Sequence, residues 1–314
     1  MRLENRSTVT EFIFLGFAKT SQLEIILFVV ILLLFLLILT GNFAIIVITR
    51  IDPRLHTPMY FFLSSLSFSE TCYTLVVIPN MLANFFIERK AISFIGCAVQ
   101  LYCFIALANN NCFLLVAMGY DRYVAICNPL RYVVIMNRRV CNQLTLIFFL
   151  VSLLLSVLPT TVLFTLTFCG SNQIDHFFCG GPAVLKLSCN DTRLVEAALF
   201  MYSFLAIAAS LIFIFVSYVF IVSTILRIPS AEGRQKAFST CASHLTVVIL
   251  HFGCASFTYL QPQRSQSTDQ DKLISLSYLV VTPLLNPLVY SIRNKDVRNA
   301  FKKALSNKGC SQRK

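Results

Sequence analysis

The sequence predicts an all-α integral membrane protein, a seven-transmembrane helix bundle followed by a short amphipathic C-terminal helix. Three observations lead there. Of 314 residues, 57% are hydrophobic and only 13% are charged, a balance that soluble domains do not show. The apolar residues gather into seven runs, each long enough for the roughly 20 helical residues that cross a bilayer core. The polar stretches between those runs share out their charge unequally.

The clearest run, 25–48, contains no charged residue. The others cover 59–83, 98–126, 144–166, 197–226, 238–260 and 273–292. Backbone groups in lipid must be satisfied internally, so a span is either a helix or a strand of a closed barrel. Continuous apolar runs, in place of ten-residue alternation, select the helix. The sixth run is the weakest, because Ser239, Thr240, Ser243 and His244 fall in its first turns. The first run is too long and too late for a cleaved signal peptide and is expected to act as its own insertion signal. The chain therefore divides into an outer amino terminus (1–24), a membrane domain (25–292) and an inner tail with a short helix (293–314).

Seven spans put the two termini on opposite sides. Loops on the carboxyl-terminal side carry 17 of the 26 basic residues, whereas the nine on the other side are balanced by nine acids. The positive-inside rule then places the carboxyl terminus in the cytoplasm. The net charge of +12 is read as this topology signal, with no nucleic-acid partner implied. Two N-x-S/T triplets, at Asn5 and Asn190, fall on the predicted outer side, and Asn5 is the expected glycosylation site.

Of twelve cysteines, Cys97, Cys169, Cys179 and Cys189 lie outside, where oxidation is favoured. Their spacing leaves three pairings open. Seven others sit in or beside the spans and are read as small packing residues. Cys310 lies in the basic tail, either as a solvated thiol or as a palmitoylation site.

Polar residues at bilayer depth are costly and mark function. Glu70 lies near the middle of the second helix, and Asn42, Asn109 to Asn111 and Asn286 lie at comparable depth. A carboxylate among amides could hold a small cation or a proton; a hydrogen-bond hub is the alternative. Asp121-Arg122 falls where the third helix leaves the membrane. There the Arg either snorkels to the interface or, released from its acid, meets a cytoplasmic partner.

Seven spans, an outer cysteine set and Asp-Arg-Tyr at the inner end of the third helix resemble the rhodopsin-like G-protein-coupled receptors. Finer words resemble the olfactory (odorant) receptors: "GN" at Gly41, "LHTPMYFFLSSLSFSE" from Leu55, "MGYDRYVAICNPLRY" from Met118, "SY" at Ser217, "KAFSTCASHL" from Lys236 and "PLLNPLVYSIRN" from Pro283. These words span nearly the whole chain in the family's order.

The resemblance implies disulfides Cys97–Cys179 and Cys169–Cys189, and an odorant cavity lined by Phe104, Ile105, Ala108, Asn109, Tyr202, Phe252 and Tyr259. Beside it, the residues themselves mark an intramembrane polar site of Asn42, Glu70, Asn111 and Asn286. The G-protein surface that the resemblance implies includes Asp121, Arg122, Tyr123, Tyr218 and Tyr290. The expected ligand is a small, mostly neutral volatile molecule, and the expected partner is a stimulatory, olfactory-type G protein that raises cyclic AMP at the plasma membrane. No enzymatic activity, cofactor or metal is expected. Phe104 stands where amine receptors carry an aspartate, and Val280 where visual pigments carry the retinal lysine.

The chain departs from the family pattern at several places. Gly119 replaces an alanine, Glu70 an aspartate, and Asn111 a common glutamate. His251-Phe252-Gly253 stands for Phe-Tyr-Gly, and with no Trp present Phe252 is the candidate stand-in for the tryptophan switch. Two other readings stay open: a rhodopsin-like receptor for a lipid or peptide, and a transporter. The latter is disfavoured by the lack of an internal two-fold repeat.

Overall fold

A computed structural model describes residues 9–16, 21–87, 89–169, 171–260, 269–294 and 296–303. Seven of its helices are long and apolar enough to cross a membrane. They lie in α1 (Ser21–Ile51), α2 (Pro58–Ala83), α3 (Phe94–Cys127), α5 (Arg138–Phe164), α7 (Arg193–Leu226), α8 (Ala231–Tyr259) and α9 (Asp269–Arg293). Two short helices, α4 (Tyr132–Ile135) and α6 (Gly181–Leu185), lie in the connections. Residues 296–303 form α10, with Val297 and Ala300 buried, Phe301 partly buried against the core and residues 296, 298, 299, 302 and 303 exposed.

The helix starts follow local chemistry. Thr57 is extended and Pro58 opens α2, where a missing N–H costs nothing. Ser93 and Ser230 cap α3 and α8 by accepting from the N–H of Gly96 and Gly233. At Gly233 a Cβ would sit 2.7 Å from the Ser230 hydroxyl, so a larger residue there would have to shift that side chain. The polar first turns of the sixth run belong to the same continuous helix as its apolar part, and α8 starts at Ala231, upstream of the predicted 238.

Helix α3 is the axis of the bundle and packs on α2, α5, α7 and α8. The faces that point away are apolar and exposed, as at Leu33, Phe43, Leu154, Phe213 and Ile249, which suits contact with lipid.

Above the bundle, β1 (Glu11–Phe14) pairs antiparallel with β2 (Ala91–Ser93) and parallel with β3 (Gln173–Ile174). Phe12 packs against Phe94 and Phe168 at 5.9 and 5.6 Å. Disulfides Cys97–Cys179 and Cys169–Cys189 fasten the loop between α5 and α7. Lys272, at the head of the seventh span, donates to the Gly16 carbonyl at 2.9 Å and pairs with Asp175 at 2.6 Å. Asn5 and Cys310 lie outside the described residues.

Candidate functional site

The described polar and aromatic groups inside the bundle form three layers. In the layer beneath the sheet, the Phe104 ring lies 4.8 Å from Tyr73 and 5.3 Å from Phe178. Phe178 is held there because its neighbour Cys179 is bonded to Cys97, and the Cys179 N–H donates to Gln100 Oε1 at 3.0 Å. Gln100 in turn donates to the Val76 carbonyl of α2. Tyr278 joins the cluster across the bundle, with ring contacts to Tyr73, Tyr259 and His251, and His251 packs on Phe252 at 5.2 Å.

Phe104, Phe252 and Tyr259 are thus linked through Tyr73, Tyr278 and His251. Sequence reasoning marked His251 only as a departure from the family pattern, and it did not select Tyr73, Tyr278 or Phe178, because aromatic residues are frequent in the spans. Asn109 turns the other way. Its amide donates to Tyr202 Oη at 2.7 Å and, more loosely, to Ser156 Oγ at 3.4 Å, joining α3 to α7 and α5. Ile105 and Ala108 are partly buried against the same core.

The middle layer is built around two prolines and one acid. Pro287 has no N–H, so the carbonyl of residue 283 loses its helical partner. Asn42 Nδ2 supplies the replacement, donating to the Pro283 carbonyl at 2.9 Å. Gly41 permits the approach, since a Cβ there would meet Pro287 Cγ at 3.2 Å. Glu70 is fully buried, and Asn286 Nδ2 donates to its Oε1. Asn110 donates to Ser69 Oγ at 2.9 Å, as a residue a third of a turn away from both its neighbours would.

Asn111 is not hydrogen-bonded to Glu70: its Oδ1 and Glu70 Oε2 are both buried with no partner among the described residues. Glu70, longer than the usual aspartate, engages α9 instead. Among the described residues no three His, Cys, Asp or Glu side chains converge.

At the far end of α3, Asp121 is fully buried and holds Arg122 Nη2 at 2.9 Å. Its second oxygen accepts from Tyr132 Oη at 2.8 Å, tying α4 to α3. Burial first, then the Asp121 charge, pushes the Tyr132 phenol above its usual range, so it remains a neutral donor.

Beside this pair runs a strap across three helices. His244 Nε2 donates to the Leu115 carbonyl of α3 at 3.0 Å, which leaves Nδ1 to accept from Tyr218 Oη at 2.9 Å. His244 sits inside the "KAFSTCASHL" word but sequence reasoning gave it no role. Tyr123 packs on Phe220, and Tyr290 is fully buried. Tyr60 Oη donates to Asn294 and Asp296, linking α2 to the start of α10.

These layers meet a whole-chain likeness. The family model described as "Olfactory receptor" matches residues 31–308. The chain belongs to the olfactory receptor family. Among curated olfactory receptors, human olfactory receptor 10Z1 is 53% identical over 309 residues, 97% of this chain and 99% of that protein. Mouse olfactory receptor 10J5 is 52% identical, covering 97% of this chain and 98% of its own length. Human olfactory receptor 10T2 is 50% identical over 97% of each. This olfactory receptor is therefore a multi-pass membrane protein of a receptor family, not of an enzyme family.

Proposed function

We propose that this olfactory receptor binds a small, mostly neutral volatile molecule within the bundle and activates a stimulatory, olfactory-type G protein, raising cyclic AMP. The observation that carries the reading is the inner lock: Arg122 held by buried Asp121, beside the Tyr218–His244–Leu115 strap. A partner protein could reach Arg122 only after α8 moves away from α3 and α7. The aromatic layer of Phe104, Phe252 and Tyr259 supplies apolar contact for the odorant, and Ile105 and Ala108 continue that wall. The Asn109–Tyr202 pair supplies polar anchoring.

An odorant that fits better when α8 has swung outward shifts the population by its differential affinity. The opened end would present Asp121, Arg122, Tyr123, Tyr218 and Tyr290 to the G protein. Asn42, Glu70, Asn111 and Asn286 form the polar layer through which α1, α2, α3 and α9 adjust. With the amino terminus outside the plasma membrane, Asn5 would be glycosylated. An amino-terminal tag should then be stained on intact cells.

The decisive experiment is Arg122→Ala in cells expressing the olfactory G protein. Odorant-evoked cyclic AMP should vanish while surface staining persists; a full response would overturn the role given to Arg122.

A further inference from the structure

Between α7 and α8, toward the end that carries Arg122, lies a cleft of about 210 Å³. Its inner wall is formed by Tyr218, Ile221, Ile225 and Cys241, all buried. Its outer lip is formed by Val222 and Phe238, which are 39% and 43% exposed. The cleft therefore opens outward, away from the bundle interior and onto the surface that lipid covers. The cleft is large enough to seat a stretch of acyl chain.

An apolar groove in lipid has no hydrophobic reason to prefer one chain over another, because the surroundings are already apolar. Selectivity must come from the polar end. Arg234 lies four residues before Phe238, seven before Cys241 and eleven before Leu245, all lining residues, so at 100° per residue it shares their helix face. Its Nη1 donates to the Ile228 and Pro229 carbonyls at 3.0 and 3.3 Å, which holds the guanidinium at the α7–α8 connection. Arg227 and Lys236 add positive charge to the same connection, against the single acid Glu232. Basic residues at a membrane surface favour anionic lipid.

We propose that this cleft is a binding site for one acyl chain of an anionic phospholipid whose head group meets Arg234. The seated chain touches Tyr218, whose hydroxyl holds His244, which in turn holds α3. The inference rests on the orientation proposed above, with Arg234 at the cytoplasmic leaflet.

The test uses the full-length receptor in phosphatidylcholine nanodiscs that contain a minor fraction of phosphatidylserine with a diazirine on its acyl chain. Irradiation and peptide mapping should concentrate the label on 218–225 and 238–245. Unlabelled phosphatidylserine should compete, and phosphatidylcholine should not. Arg234→Gln should cut the preference for the anionic lipid roughly five-fold, and Ala242→Trp, filling the cleft, should cut labelling about ten-fold. If Ala242→Trp does not reach the membrane, the wild-type map and the competition decide. Label spread evenly over the lipid-facing helices, or equal labelling by a phosphatidylcholine analogue, overturns the proposal. Odorant response plays no part in this measurement, and tag staining tests the orientation separately, so each reading can fail alone.

Discussion

Gly119 is one of the positions where this chain leaves the family's usual alanine, and its surroundings explain why either residue fits. A Cβ added there would lie 3.5 Å from His244 Cε1 and 3.7 Å from Ile214 Cγ1, which are ordinary contacts. Gly119→Ala is therefore expected to raise stability by up to about 1 kcal/mol through helix propensity, seen as a higher melting temperature of the purified receptor; a lower one would mean that the His244 ring cannot tolerate the methyl. His244 is the more consequential residue. His244→Phe keeps most of the ring volume but removes the bonds of the imidazole to Tyr218 Oη and the Leu115 carbonyl, leaving Tyr218 only the long contact to the Cys241 carbonyl at 3.5 Å. Interhelical hydrogen bonds in membranes are worth ~0.6 to 1.7 kcal/mol each, so the closed arrangement should lose roughly 1–2 kcal/mol and basal cyclic AMP per surface receptor should rise several-fold. Unchanged basal signalling would remove His244 from the lock. Tyr132→Phe deletes a single donor to Asp121 and should raise basal signalling in the same assay by less than His244→Phe does.

At the scale of elements, the contact between α1 and α9 shows how a defect in one helix is mended by another. Pro287 orphans the carbonyl at 283, Asn42 replaces the missing donor, and Gly41 makes room for the proline ring. Asn42→Leu would leave that carbonyl buried without a partner, at a cost of about 1–3 kcal/mol. A thermal shift of the detergent-solubilised receptor should show the loss, and an unchanged melting temperature would contradict the pairing. The words "GN" and "PLLNP" were legible in the sequence, but nothing in either one says that they face each other. The same holds for the three amides of α3. Their period shows that they must point to different sides, yet the partners of the first two, Tyr202 and Ser156 for Asn109 and Ser69 for Asn110, were chosen by the rotation of α3 against α7, α5 and α2. Asn111 was expected opposite Glu70, and the longer acid reached Asn286 instead.

For the whole molecule, the sheet of β1, β2 and β3 and two disulfides close one end of the bundle over the aromatic layer. Cys97–Cys179 spans 82 residues, and losing a native bridge costs roughly 2–5 kcal/mol. Cys179→Ser should therefore strip most receptor from the cell surface, measured by antibody staining of an amino-terminal tag; normal staining with normal odorant potency would show that Phe178 does not need this anchor. The sequence by itself determined the membrane class, the seven spans and the charge asymmetry of the loops, because lipid demands long apolar helices whatever their partners. It also carried the family words, whose residues are legible as local strings. Cysteine spacing left three pairings open, and the pair of bridges implied by the family resemblance is the one the structure holds; which aromatics stack beneath the loop, and how His244 links Tyr218 to α3, were decided by tertiary structure alone. Those contacts join residues dozens to hundreds of positions apart, and the helix rotations that bring them together are set by packing across the bundle, which no local pattern encodes.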